Sequence, residues 1–353
     1  MKALLLAGGK GTRLRPLTDK LPKPMVPIMG KPLIERVIAK LKEAGVTEVV
    51  LSTCYKSHYI ENYLDNGSKL GIKIDYVSED MPLGTGGAIK NSEKFFDDTF
   101  IVLNSDIVDD ISYRDLVQYH KKKGAAVSIA MTKVKDPSQY GVIEFDENNY
   151  INAFKEKPKE GETNSKWINA GVYVFEPDVF KEIPKNKIVS VERDVYPLLL
   201  EKNYKMAAYE YNDYWIDVGT LKKYIQAHVD ILHSRCNKFK KANNLSDIKN
   251  IIFKNNNVKI NPHAKIIGPV FIGNNSIIGA GAQIGPYAVI GDNCHINQMS
   301  NISRSILWDR VKINENANIT NSVIGSNCTI DKYCNLLNTA YVSNNYDNNL
   351  LAI

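Results

Sequence analysis

Leu4-Leu5-Leu6-Ala7-Gly8-Gly9-Lys10-Gly11-Thr12-Arg13-Leu14-Arg15-Pro16-Leu17-Thr18 is the stretch from which the fold is read. An apolar run of strand length, Lys2–Ala7, passes directly into a glycine loop that carries fixed cations, with Lys23-Pro24 and Lys31-Pro32 close behind. Glycines let the backbone turn successive N–H groups toward one anion, and Arg13 and Lys23 add charge where phosphate charge would collect. The chain therefore predicts a nucleoside triphosphate pocket directly after its first strand. Two familiar phosphate loops are excluded. A Walker loop needs Gly-Lys-Ser/Thr at the start of a helix, and here Lys10 is followed by Gly11; the dinucleotide fingerprint needs a third glycine where Leu14 stands.

Outward from this loop, up to about Arg235, short apolar runs alternate with helical patterns. Glu48–Thr53, Ile72–Val77, Thr99–Leu103 and Ala125–Met131 read as strands; Pro32–Ala44 reads as a helix with proline in its first turn and Gly45 as its stop. Such alternation predicts an α/β domain with a mainly parallel sheet, whose ligands bind beyond the carboxyl ends of the strands. The glycine loop lies in that place.

After an Asn/Lys-rich stretch the period changes. Ile260, Ile266, Ile272, Ile278, Ile284, Ile290, Ile296 and Ile302 recur every six residues without a miss, and after a slip near Trp308 the rhythm resumes at Ile313 and Ile319, then at Ile324, Ile330 and Leu336. Hexapeptide repetition predicts a parallel β-helix with stacked isoleucines. The expected organisation is a catalytic domain over residues 1–235, a linker over 236–257, the β-helix over 258–340 and a tail over 341–353. Hexapeptide helices often belong to acyltransferases with a histidine base, but no long inserted loop accompanies His263 or His295, so both read as surface or structural positions. A role for the repeats in assembly, through a homo-oligomer, or in regulation is the expectation.

Composition bounds the function. With 353 residues and a net charge of +6 the chain suits anionic small molecules, and no aromatic-basic stripe suggests nucleic acid; Lys121-Lys122-Lys123 ends a predicted helix, where cations suit the dipole. Cys54, Cys236, Cys294, Cys328 and Cys334 make no C-x-x-C, which argues against a zinc site or a disulfide framework and for a reduced, cytoplasmic chain. No stretch approaches the length of a membrane span.

The whole string from Gly8 through Arg13, Pro16, Thr18, Lys23 and Pro24 resembles the signature of the sugar-1-phosphate nucleotidyltransferases. Four more segments resemble the same family: Asn104-Ser105-Asp106, Glu156-Lys157-Pro158, Asn169-Ala170-Gly171-Val172-Tyr173 and Trp215-Ile216-Asp217-Val218-Gly219-Thr220. The resemblance implies a Rossmann-like domain followed by a left-handed β-helix. It also implies that Arg13, Lys23, Asp106 and Asp217 carry the catalysis. Leu6, Ala7, Gly8, Gly9, Gly11, Thr12, Arg13, Glu79, Gly84, Thr85 and Asp106 would hold the nucleotide. Lys23, Gly141 beside Tyr140, Glu156, Lys157 and Asn169 would hold the sugar phosphate. Asp106 and Asp217 would share Mg2+.

The chemistry asks for these types. An attacking sugar-phosphate oxygen must approach an α-phosphorus while pyrophosphate leaves, so two polyanions meet and cations must offset their charge. No protein nucleophile is needed.

Glu79-Asp80-Met81-Pro82-Leu83-Gly84-Thr85-Gly86-Gly87 resembles the family's base-reading loop. Uridylyl- and thymidylyltransferases usually carry Gln five residues before the first loop glycine, and here Glu79 stands there. A carboxylate only accepts, and guanine offers adjacent N1–H and N2–H donors, so GTP is expected. Within the family the resemblance is nearest to mannose-1-phosphate guanylyltransferases. Gly86-Gly87-Ala88-Ile89 resembles heptose-1-phosphate guanylyltransferases and keeps the sugar open. Glucose-1-phosphate uridylyl or thymidylyl transfer, and a catalytically silent regulatory subunit, are the other readings.

Overall fold

The computed structural model describes residues 1–79, 81–243, 252–254, 256–343 and 348–352. They fall into two units that interleave along the chain, Met1–Gly9 with Val37–Trp215 and Lys10–Arg36 with Ile216–Ile353. The division cuts the glycine loop, leaving Gly8 and Gly9 in the first unit and Lys10 and Gly11 in the second.

In the first unit, one sheet comprises β1 (Lys2–Leu6), β2 (Glu48–Thr53), β3 (Lys73–Ser78), β4 (Phe100–Asn104), β5 (Val127–Lys133), β6 (Gly141–Phe145), β7 (Ile151–Glu156), β8 (Trp167–Phe175) and β9 (Met206–Glu210). Its centre is parallel: β1 lies between β2 and β4, and β3 flanks β2. An antiparallel arm follows, in which β8 pairs with β4, β5 and β6, and β7 pairs with β6. The central strands are near-continuous apolar runs because both faces are covered; Ala3, Leu4, Leu5, Val49, Val50, Leu51, Ile101 and Val102 are buried completely. The expected strands are present, their ends displaced by up to two residues except in Glu48–Thr53. The expected helix is α1 (Leu33–Glu43), stopped at Gly45 with φ +92°. Pro32 lies outside it, in a two-residue strand with Lys31 that pairs with Pro27–Ile28. The segment expected as a base-reading loop contains a helix, α2 (Gly84–Asn91).

In the second unit the repeats stack as three parallel sheets of two- and three-residue strands. Ile260, Ile278, Ile296, Ile313 and Ile330 lie in register on one of them. The slip in the sequence is a change in coil length. Phe271 pairs with Val289, eighteen residues on, whereas Val289 pairs with Ile306, seventeen on. One corner loses a residue, and the loss repeats in the two coils that follow. Arg304, Asn321 and Asn338 occupy that corner with φ of 47°, 47° and 51°, and Arg304 Nε donates to Asn321 (3.1 Å), whose Nδ2 donates to Asn338 (2.7 Å).

Between the last strand of the first unit and the repeats run α3 (Leu221–Leu232) and α4 (Asn237–Ala242). Part of the span expected as linker is thus helical, with Cys236 and Phe239 buried; residues 244–251 and 255 lie outside the described residues. Within the expected tail, Asn348–Ala352 pairs antiparallel with Thr339–Ser343, and residues 344–347 and 353 lie outside the described residues.

Candidate active site

The first unit gathers candidate residues at the carboxyl ends of its parallel strands. Leu6 ends β1 beside Asn104, the last residue of β4. Ser105 then ties the two ends together, its Oγ donating to the Leu6 carbonyl at 2.8 Å, so Asp106 emerges directly over the start of the glycine loop. Ala7 N–H donates to Ser52 O (2.8 Å), which holds the same edge to β2. A Cβ on Gly8 would meet Cys54 at 3.4 Å and Glu79 Oε1 at 3.9 Å, whereas one on Gly9 would meet nothing within 4 Å.

Glu79 is buried beside this edge. Its Oε1 accepts from Ser52 Oγ (2.7 Å) and its Oε2 from the Leu83 N–H (2.8 Å). The carboxylate is thereby oriented by two donors while each oxygen keeps a second lone pair. Gly84 and Thr85, expected at the nucleotide, both have internal duties. Gly84 has φ +73°, and a Cβ there would lie 2.5 Å from Val189 O; one on Gly86 would lie 2.8 Å from the Val189 side chain, and one on Gly87 2.7 Å from Leu83 and 2.8 Å from Lys187 O. The Gly86 N–H is used by Val189 O at 2.8 Å, so the start of α2 is not an open set of donors.

Thr85 Oγ1 donates to Glu192 (2.9 Å) and accepts from Val191 N–H (2.9 Å). Glu192 escaped the sequence reading. It lies in a single π-helical turn, Val191–Val195, a geometry that recurs at functional sites, and it also accepts from Ser190 Oγ at 2.9 Å. Its charge reaches the sugar-phosphate candidates. Burial, then the Glu192 carboxylate, push the Glu156 carboxyl above its usual range, against the opposing pull of Lys157.

Glu156 and Gly141 face one another across β7 and β6, and a Cβ on Gly141 would lie 2.4 Å from the Phe154 ring and 3.0 Å from Glu156 Oε2. Lys157 follows with φ +50° and its ammonium 3.7 Å from Glu156. Asn169 lies at a bulge in β8: its Nδ2 donates to Tyr173 Oη (2.7 Å) and its Oδ1 accepts from Gly171 N–H (2.8 Å). Gly171, with φ +73°, has no room for a Cβ beside Ile107 (2.4 Å) and Asn104 (2.7 Å). That close approach brings the Asn169 bulge against the Asn104–Asp106 turn. Tyr140 stacks edge-on against Trp215, whose Nε1 donates to Ala170 O at 2.8 Å.

The second unit holds the remaining candidates. Gly11 takes φ +64°, and its missing Cβ lets Lys23 and Thr18 close in; Thr18 Oγ1 donates to Gly11 O at 2.8 Å. Leu14, Leu17, Val26 and Ile28 bury the loop's apolar side, which leaves Thr12 and Arg13 exposed. A Cβ on Gly219 would lie 2.8 Å from Asp217 Oδ2 and 3.2 Å from the Arg13 guanidinium, so this glycine makes room for the two charges to meet. Lys223, in the first turn of α3, forms an ion pair with Asp217 and is a second residue that the motifs missed. Thr220 as N-cap of α3, accepting from the Lys223 N–H at 3.3 Å, is the signal that places Lys223 beside it.

Comparison with known proteins gives these positions a context. Residues 2–234 match the profile of the family described as Nucleotidyl transferase, and residues 249–347 match that of the EIF2B subunit epsilon LbH domain, a left-handed β-helix that agrees with the three stacked sheets. A mannose-1-phosphate guanylyltransferase of Mycobacterium tuberculosis is 36% identical over 80% of this chain and 76% of its own. A UTP–glucose-1-phosphate uridylyltransferase of Synechocystis sp. is 33% identical over 88% of this chain and 83% of its own. Among solved structures, HddC from Yersinia pseudotuberculosis complexed with GMP-PN is similar with a TM-score of 0.56 and 32% identity, covering 68% of this chain and 99% of that one.

Proposed function

Because the chain belongs to the nucleotidyl transferase family, we propose that it transfers GMP from GTP to mannose 1-phosphate, releasing pyrophosphate. Glu79 carries the base assignment. Ser52 and Leu83 hold its carboxylate in place, and its remaining lone pairs suit guanine N1–H and N2–H, whereas a pyrimidine would set a carbonyl against it. Mannose rests on the activity named for the Mycobacterium relative. The Synechocystis relative supports uridylyl transfer to glucose 1-phosphate as the second reading.

In this proposal Leu6, Ala7, Gly8, Gly9, Gly11 and Thr12 cradle the triphosphate, and Arg13 offsets the charge that develops on it. Lys23 and Lys157 take the sugar phosphate, and Gly141, Glu156 and Asn169 take its hydroxyls. Asp106 and Asp217 are the residues that would hold Mg2+, which when bound neutralises phosphate charge and polarises the α-phosphate. Their donors are hard carboxylate oxygens. Mg2+ takes one or two carboxylates plus phosphates and water, which is the share these two residues would supply. The exposed Met299, Tyr333 and Leu337 on the repeats support a homo-oligomer, and the five free cysteines support a reducing cytoplasmic setting.

The test offers GTP, UTP, dTTP and ATP against mannose, glucose and heptose 1-phosphates, with pyrophosphate release as the readout, in the native chain and in Glu79→Gln. GTP with mannose 1-phosphate should lead in the native chain. Glu79→Gln should lower kcat/KM for GTP by about 10- to 200-fold, or about 1.5–3 kcal/mol, since a charge-assisted acceptor becomes partly a donor. A GTP/UTP preference that stays within about twofold would remove Glu79 from base reading.

A further inference from the structure

We infer that the β-helix positions the signature loop Lys10–Arg36, and that Trp308 and Tyr224 are the positioning residues that transmit its hold. The inference rests on the proposed role of that loop in holding the reacting phosphates.

The first observation is a break in the repeat. The residue that follows the inward-facing position on one sheet is Gly273, Gly291 and Gly325 in three coils, and Trp308 in the coil between the last two. The coil geometry has no use for an indole there, since its neighbours manage without a side chain. Trp308 is nevertheless buried. It stands just past the corner where the coil shortens from eighteen to seventeen residues.

Trp308 is tied to two earlier segments of the chain. Its Nε1–H donates to Tyr224 Oη at 3.0 Å, and Tyr224 Oη donates to the Pro27 carbonyl at 2.5 Å. The direction of this chain is unambiguous, because an indole N–H only donates, a carbonyl only accepts, and the single phenolic proton must go to Pro27. Tyr224 is fully buried on α3. The next loop residues are held just as closely. Ile28 O and Met29 O accept from Arg36 Nε (3.1 Å) and Nη2 (2.7 Å), and the Met29 N–H donates to His228 Nε2 at 3.2 Å. Gly30, with φ +77°, lies against the Phe271 ring of the β-helix, with only 3.4 Å left for a Cβ.

A second tie runs from the last coil, where Ser343 O accepts from Lys20 Nζ at 2.9 Å. Lys23 lies between the two ties, with its own Cβ packed 2.9 Å from where a Cβ on Gly11 would stand. Cations that must meet a transferring phosphoryl group act by position, and errors near 1 Å are costly. The repeats thus fix the span that carries Lys23, and through Gly11 the turn that presents Arg13.

The experiment uses the full chain with Trp308→Phe and Tyr224→Phe, which keep an aromatic ring at each place and delete the donors, the double variant, and exposed Lys312→Ser as control. Hydrogen–deuterium exchange over Lys20–Gly30, steady-state kinetics and thermal melting are measured on each. Both single variants should speed exchange across that segment about tenfold while Lys312→Ser does not. They should lower kcat by about 5- to 20-fold with a smaller change in KM, and the double variant should be no worse than Tyr224→Phe alone, because all three break one chain. Unchanged exchange in both single variants would overturn the inference, as would additive losses in the double variant. Faster exchange with unchanged kinetics would overturn the positioning role too, by showing that the loop, though tethered, does not hold the reacting phosphates.

Discussion

A methyl group added anywhere in Gly84, Gly86 or Gly87 would strike the protein itself within 3 Å, mostly at Lys187–Val189, whereas one added to Gly9 would meet nothing within 4 Å and one on Gly8 would meet only ordinary contacts. The two glycine stretches look alike in the sequence. In the structure, one is glycine because another segment of the chain presses on it. In the other, Gly8 and Gly9 stand where the protein leaves room, at the end of β1 beside the Asn104–Asp106 turn, while Gly11 is closed in by Lys23 and Thr18. A glycine that answers to the protein supports the site from behind; one that answers to open space faces whatever the site receives.

The contrast can be broken most severely at Gly84. Alanine there must hold φ +73° with its Cβ 2.5 Å from a backbone oxygen that also serves the Gly86 N–H, so the Val189 segment has to move. Gly84→Ala should cost about 2–4 kcal/mol of stability, read as a lower denaturant midpoint. A loss below about 0.5 kcal/mol would mean that the segment yields and that this glycine is not a packing requirement.

Much of the fold was legible before the structure, for reasons that also mark the limit. The isoleucine period reports a coil that meets only its neighbours, so Ile278 or Ile296 needs no distant partner to be understood. The apolar runs of β1, β2 and β4 are equally local. The slip near Trp308 was visible, but its meaning was not, because the hydrogen-bond chain from Trp308 ends at Pro27, almost the whole chain away. Glu192 was hidden for the same reason: its importance lies in Thr85 and Glu156, which only the tertiary fold brings near. Gly84 and Gly9 could not be told apart, since the residue that distinguishes them is Val189.

A change of pH sharpens the comparison. The Val189 anchor of α2 is a backbone carbonyl, whereas the Met29 anchor of the signature loop is His228, which titrates. Burial, helped by the Arg36 charge, pushes the His228 imidazole down to about 4, against the raising effect of its bond to Tyr224 O. Its Nε2 must stay unprotonated to accept from Met29. The folded value lies below the unfolded value of 6.5, so the contribution is complete above pH 6.5, fades as the pH falls, and is gone below about pH 4. At most about 3 kcal/mol is involved. His228→Gln can make both bonds without titrating, so native stability should fall relative to this variant between pH 6.5 and 4. Parallel curves would show that His228 is not the acid-sensitive anchor.

The smallest effect on the fold belongs to Gly9, and it is the most direct test of what the open side of the loop is for. Its φ is not in the left-handed region and nothing stands where a Cβ would go, so alanine is sterically acceptable to the protein. Stability should change by less than about 0.5 kcal/mol, with a slight gain from a stiffer unfolded chain within that range. The methyl would instead stand in the approach of the triphosphate to the backbone N–H groups. KM for the nucleotide should rise about 5- to 10-fold, or about 1–1.4 kcal/mol, with KM for the sugar 1-phosphate little changed. Stability and substrate binding therefore separate at Gly9 and move together at Gly84. If Gly9→Ala leaves the nucleotide KM untouched, the room beside Gly9 is not where the phosphates lie, and Gly9 is a turn residue like those that the protein packs against elsewhere.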